Sequence, residues 1–169
     1  MNKTPPEPTT ETSEFRPANW KTPVPWLATW FGFGLLRPAP GTMGSIGALP
    51  FIFFIMMFGG FIPYLFFGAI ILAGGIWVCD AYEQQTGKED AKEVVIDEVA
   101  GMWIACLPAM LNPILILLAF IFFRLFDILK PGPIGWCDKN VKGGWGVMLD
   151  DISAGIVSGL IIWGISLWI

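Results

Sequence analysis

Three stretches of this chain contain no Asp, Glu, Lys or Arg: Thr42 to Cys79, Val99 to Phe123 and Ile152 to Ile169. A helix that crosses a bilayer needs about 20 apolar residues. The first stretch therefore holds two short helices, with Gly59, Gly60 and Pro63 at the natural break, and the last holds one. Hydrophobic residues make up 54% of the chain and charged residues 14%, against about 25% charged in an ordinary soluble domain. That leaves too little polar surface to coat a globule in water. Lipid has to be part of its solvent.

The middle stretch decides the topology. Read as one 25-residue crossing, it places Asp97-Glu98 and Arg124-Asp127 on opposite sides of the membrane. Read as a hairpin broken at Asn112-Pro113, it returns both to one side. Arg16, Lys21, Arg37, Lys88, Lys92, Arg124, Lys130, Lys139 and Lys142 then share that side, and the opposite turns near Gly60 and Leu111 carry no charge. The excess of basic residues in cytoplasmic loops selects the hairpin and makes the charged face cytoplasmic. The expected architecture is all-α, a compact membrane-embedded bundle of five to six short helices. Its main helices fall near 45–58, 61–80, 94–110, 113–130 and 151–168, with short hairpin helices that tilt little, thin the bilayer or only partly penetrate it.

Residues 1–25 hold six prolines and scattered charges, a composition for a disordered tail ahead of a helical membrane domain over 26–169. The tail lacks the basic start and apolar core of a signal peptide. Trp26 to Leu36 is short and aromatic and is expected at the membrane interface. Pro40-Gly41-Thr42-Met43-Gly44-Ser45 is expected as a rigid turn, with Thr42 or Ser45 capping the helix that follows.

The absences are informative. With a net charge of -4, the chain has no basic stripe for nucleic acid. It contains no histidine, which removes the usual zinc ligand, the commonest general base and any phosphohistidine route. There is no Cys-x5-Arg, and Cys79, Cys106 and Cys137 lack metal spacing and read as unpaired thiols. A phosphatase built from this chain must work with carboxylates.

Five acids lie at the ends of apolar segments: Asp97, Glu98, Asp127, Asp150 and Asp151. Each pair alone has an ordinary reading. Asp97-Glu98 and Asp150-Asp151 suit helix caps that complement the macrodipole. Arg124 with Asp127 suits a structural ion pair, and Gly143 to Gly146 suits a turn. Together they mean more. Ionised groups at the centre of a membrane helix cost about 2.5–3.5 kcal/mol each, less near the interface. Five acids brought together repel one another unless a divalent cation joins them, and an all-oxygen ligand set suits Mg²⁺ better than Zn²⁺. Arg124 offers a planar fork for phosphate and Lys130 a point charge. The backbone amides of the Thr42–Ser45 turn are further candidates for phosphate oxygens.

The segments PGTMGS, VVIDEVAGMW, FRLFDILKP and GGWGVMLDDISAG, in this order and spacing, resemble the phosphatidylglycerophosphatase A family, from about Trp26 to the C-terminus. The resemblance implies a compact helical fold and a Mg²⁺-dependent phosphatase of the bacterial inner membrane. Its activity would be removal of the terminal phosphate of phosphatidylglycerophosphate to leave phosphatidylglycerol. The family's acidic motif residues fall on Asp97, Glu98, Asp127, Asp150 and Asp151, and its basic ones on Arg124 and Lys130. Asp90 also stands where such proteins often carry an Asp. Gly132 departs from the pattern, replacing an aromatic residue common between the two prolines of KPxP.

The leading expectation is thus hydrolysis of a phosphate monoester on a glycerolipid headgroup at the cytoplasmic leaflet. Asp97, Asp127 and Asp150 or Asp151 hold Mg²⁺, and Glu98 binds metal or acts as base. Spacing leaves open whether water or an Asp carboxylate attacks phosphorus. Two alternatives stand beside it: a phosphatase of another phosphorylated glycerolipid headgroup, and a non-catalytic cation-handling membrane protein. Membrane lipid is the only partner expected besides the substrate, with no protein partner.

Overall fold

The computed structural model describes residues 16–89, 91–132, 134–135, 141 and 143–168. The first fifteen residues of the expected tail, and Asp90, Cys137, Lys139 and Lys142, lie outside the described residues. Among the described residues there are six α-helices and no strand. They are α1 (Pro23–Ala28), α2 (Pro40–Phe54), α3 (Phe61–Thr86), α4 (Ile96–Cys106), α5 (Pro113–Leu129) and α6 (Gly143–Ser166).

Local chemistry accounts for most of the boundaries. Pro40 opens α2 at its first position, where its missing N–H costs nothing. A π-helical turn, Ile55–Gly59, carries α2 on to Gly60, whose φ of 77° reverses the chain. Gly87, left-handed at φ 70°, ends α3 by donating its N–H to the Glu83 carbonyl. After α4, a 3-10 turn (Leu107–Ala109) and a left-handed Met110 lead to Asn112, which accepts from the amides of Ile114 and Leu115 at the head of α5. The hairpin at Asn112-Pro113 is present.

Helix direction therefore alternates from α2 to α6. The starts of α2, α4 and α6 and the ends of α3 and α5 share one end of the bundle. Ala28 and Val95, Asp80 and Gly144, Glu98 and Arg124, and Lys130 and Asp150 all meet there. The opposite turns, at Gly60 and Met110–Asn112, carry no charge.

Four boundaries differ from the sequence reading. Residues 16–25 are docked rather than part of a loose tail: Val24 and Pro25 are buried in α1, and Arg16 N–H donates to Thr86. The PGTMGS segment is the opening of α2 itself. Its cap position is Ala39, with no side-chain cap, and Ser45 donates instead to Gly41 within the helix. The third helix runs through Asp80 to Thr86, because no breaker intervenes before Gly87.

The last helix begins at Gly143, eight residues before Asp151, so the glycines there do not form a loop. They allow close packing: a Cβ at Gly144 would overlap the Ile76 carbonyl, and one at Gly75 would meet the Met148 side chain. Asp80 of α3 accepts from Gly144 N–H at 2.6 Å and satisfies an amide at the head of α6. Asp150 and Asp151 consequently sit in the third turn of α6 and cannot cap it.

Among the described residues, three helices are long and apolar enough to cross a membrane: Pro40–Gly59 with its π turn, Phe61–Thr86 and Gly143–Ser166. They expose Phe54, Phe58, Ile62, Phe66, Leu160 and Trp163 on their outer faces, the apolar surface that lipid covers. This is a membrane protein. Helix α4, eleven residues and about 16 Å long by its rise, is too short to cross and is buried at the centre. Tyr64 and Trp103 clamp it to α3 by reciprocal bonds, each side chain donating to the other's backbone carbonyl.

Candidate active site

The site is set by the crossing of α4 and α6. A Cβ at Gly155 would overlap the Gly101 carbonyl, and one at Gly101 would meet Phe123 and the Asp151 carbonyl. One turn on the contact loosens: a Cβ at Gly159 would lie 3.2 Å from the Ile104 carbonyl oxygen and 3.8 Å from the Ala105 Cα. Gly-x-x-x-Gly at 155–159 facing Gly-x-x-x-Ala at 101–105 is the small-residue spacing that lets membrane helices touch backbone to backbone. One turn before each contact stand Asp97 and Asp151. The glycine crossing draws these two acids together from 54 positions apart in sequence.

Asp97, Glu98 and Asp151 each present an oxygen within 4.8 Å of the others. Asp97 and Asp151 are buried, and the Glu98 side chain is 15% exposed. With Asp127, Asp150 and Lys130 they line a cavity of about 280 Å³, joined by Glu83, Glu89 and Gly143. All five acids singled out in the sequence thus face one space. Asp97 and Asp150 also fix their own backbones, accepting from the next residue's N–H at 3.0 Å in each case.

The cations are engaged by acids. Arg124 Nη1 lies 2.6 Å from Asp127 Oδ2 and 4.0 Å from Glu98 Oε1. Lys130 Nζ lies 2.6 Å from Asp150 Oδ2. Of the four residues expected to meet phosphate, Lys130 lines the cavity, while Arg124 stands behind Glu98 and Asp127 and neither Ser45 nor Thr42 lines it. Ser45 is fully buried against Arg124, whose Nη1 is 3.5 Å from its hydroxyl. Thr42 is partly buried in the first turn of α2. Only the amides of Gly41 and Thr42 precede the first helical bond, from Met43 N–H to the Ala39 carbonyl. The amides of Met43 to Ser45 belong to the helix ladder.

So many carboxylates in so little water cannot all ionise unaided. Burial, reinforced by Glu98, holds the Asp97 carboxyl well above its usual range. Burial pushes Glu98 up to about 8, with Asp151 and Asp127 adding to the shift against the opposing pull of Asp97 and Arg124. Glu98 Oε2 and Asp151 Oδ1 are buried without a hydrogen-bond partner. Converging, buried, partly unpartnered carboxylates without nitrogen or sulfur donors fit a hard divalent cation.

Residues 26–166 match the family described as phosphatidylglycerophosphatase A. The chain belongs to the phosphatidylglycerophosphatase A family. A phosphatidylglycerophosphatase A of Escherichia coli is 39% identical over 145 residues, 82% of this chain and 82% of that one. One of Haemophilus influenzae is 35% identical over 161 residues, 94% of this chain and 98% of its own. A protein of Bacteroides thetaiotaomicron named as a candidate phosphatidylinositol-3-phosphatase is 35% identical over 150 residues, 85% of this chain and 92% of its own. No solved structure matches.

Not every residue at this end of the bundle stands out in the sequence. Asp80, Glu83 and Glu89 drew no attention, although Asp80 and Glu83 lie within a turn of each other on α3. Gly41 belongs to the expected PGTMGS turn, and Gly101 and Gly155 carry no mark of their own within VVIDEVAGMW and GGWGVMLDDISAG. The four-residue spacing of small residues in α4 and α6 was the available signal. Beyond the acid cavity a larger open groove, about 1520 Å³, runs between the segment leading into α2 and the end of α3. Arg37, Lys88 and Lys92 line it, and it shares Glu83, Glu89 and Gly143 with the cavity.

Proposed function

We propose that this protein is a Mg²⁺-dependent phosphatase that hydrolyses the terminal phosphate monoester of phosphatidylglycerophosphate, at the cytoplasmic face of a bacterial inner membrane. The observation that carries the reading is the carboxylate cluster of Asp97, Glu98 and Asp151, flanked by Arg124 and Lys130, at the charged end of a membrane bundle. Family membership supports the choice of headgroup, and the gathering of basic residues at one end supports the orientation.

Asp97, Glu98 and Asp151 would hold the cation, with Asp127 and Asp150 beside them. When bound, Mg²⁺ neutralises phosphate charge and lowers the pKa of a water. The protein's own groups do the rest. Arg124 meets phosphate oxygens as a planar donor fork, and Lys130 adds a second positive charge. Both already balance acids, so a dianion and a dication enter the cavity with little net change in its charge. In its ionised form Glu98, whose Oε2 has no partner, would take a proton from the attacking water and return it to the leaving lipid oxygen. Burial excludes bulk water and strengthens each of these interactions.

A second reading, a different phosphorylated headgroup, is favoured by the Bacteroides thetaiotaomicron relative. The test compares phosphate release from phosphatidylglycerophosphate, phosphatidic acid, phosphatidylinositol 3-phosphate and glycerol 3-phosphate in mixed micelles, with Mg²⁺ or with EDTA. The first substrate should exceed the others by tenfold or more and fail in EDTA. Preference for another lipid would favour the second reading, and release undiminished in EDTA would end the cation assignment.

A further inference from the structure

The opening turns of α2 lie against the side of the site away from the cavity. A Cβ at Gly41 would overlap Glu98 Oε1 and come within 3.2 Å of Arg124 Nη1. One turn on, Ser45 is fully buried. Its hydroxyl donates to the Gly41 carbonyl at 2.9 Å. A serine has one proton to give and two lone pairs to offer. With the proton committed to Gly41, the oxygen faces Arg124 as an acceptor, 3.5 Å from Nη1.

That nitrogen is therefore enclosed by Asp127, Glu98, the Gly41 backbone and the Ser45 oxygen. A free arginine side chain has about 2 kcal/mol of rotamer entropy to lose. Here the loss is taken on folding, before substrate arrives. The same chemistry argues against a direct phosphate contact from Ser45. A phosphate oxygen needs a donor, and the Ser45 proton points into the helix.

We infer that Ser45 is a positioning residue that acts through Arg124, holding the guanidinium fork between Glu98 and Asp127 for the incoming phosphate. The inference rests on the reading above that Arg124 receives that phosphate. It separates the roles of two residues that sequence alone grouped together as phosphate ligands.

The test is a double-mutant cycle on the full chain in mixed micelles, with Ser45→Ala, Arg124→Lys and the pair together. Ser45→Ala should lower kcat/KM about tenfold, the size of a lost bond to a charged group. In the Arg124→Lys background the same change should cost less than twofold. Ser45→Thr, which keeps the hydroxyl, should recover most of the activity. An equal penalty in both backgrounds would overturn the inference, as would a fully active Ser45→Ala.

Binding of orthovanadate to the same four proteins, followed by calorimetry, gives a second readout that does not require turnover. It should show the same loss of coupling. If the unmodified chain released phosphate from none of the lipids, the substrate assignment would fall, while the vanadate cycle would still decide the role of Ser45.

Discussion

Replacing Gly155 with alanine adds one methyl group where α4 and α6 touch. The new Cβ would lie 3.0 Å from both the carbonyl carbon and the Cα of Gly101, and would overlap the carbonyl oxygen. Carbon atoms pack comfortably at about 3.5–4.0 Å, so the helices must part by about 0.5–1 Å. The atoms in the way are backbone, and no side chain can swing aside. Asp97 and Asp151 stand one turn from this contact, so the separation falls directly on the carboxylate cluster. A misplacement of about 1 Å in a catalytic arrangement costs on the order of 100-fold.

The assay is kcat/KM for lipid phosphate release, with thermal unfolding measured in parallel. Two other glycines of α6 calibrate it. A Cβ at Gly159 would lie 3.2 Å from the Ile104 carbonyl oxygen, and one at Gly164 would meet nothing within 4 Å. Gly159→Ala should therefore cost only a few-fold, and Gly164→Ala nothing. The order of loss should be 155, then 159, then 164. A Gly155→Ala enzyme with more than half its activity, or an equal loss at all three positions, would refute the argument that backbone contact sets the site.

Three further outcomes are expected. Asp97→Asn, Asp127→Asn and Asp151→Asn should each abolish turnover while leaving membrane insertion intact, checked by phosphate release and membrane fractionation; survival of activity in all three would discard the site. In EDTA, Glu98 keeps its proton to about pH 8 in the folded protein but loses it near 4.5 when unfolded. Its contribution to stability is then fully present below pH 4.5 and disappears as pH rises through 8. Melting temperatures in EDTA should fall across that window, and Mg²⁺ should raise them more at pH 8 than at pH 5. Asp80→Ala removes the acceptor for Gly144 N–H and should cost about 1 kcal/mol of stability, measured by denaturation in detergent, whereas Asp80→Asn should stay close to the parent protein.

The parts of the molecule that were legible in advance are those written in charge and hydropathy. The charge-free stretches located the apolar helices, and the asymmetry of basic residues required the reversal that Asn112 and Pro113 perform. The five acids followed, since an ionised group beside lipid is expensive unless it has work there. The parts that were not legible depend on glycine. A glycine that ends a helix and one that admits a neighbouring backbone look identical in a string of letters. Gly60 and Gly87 are of the first kind, and Gly41, Gly101, Gly144 and Gly155 of the second. Reading Gly143 to Gly146 as a loop displaced the start of α6 and left helix capping open as the ordinary reading of Asp150 and Asp151. That Ser45 bonds back to Gly41 instead of capping α2 was hidden for a related reason, because direction along a hydroxyl is invisible until both of its neighbours are known.

The broad groove between the head of α2 and the tail of α3 is open, and it shares Glu83, Glu89 and Gly143 with the acid cavity. A lipid phosphatase handles an amphiphile, and its two products belong to different phases. Inorganic phosphate released from that cavity into the groove would meet water at once. The remaining lipid, still rooted among its neighbours by its tails, has only the leaflet to return to. Partition of this kind carries the products apart without any moving part, and it makes the boundary of the membrane an active component of the catalyst.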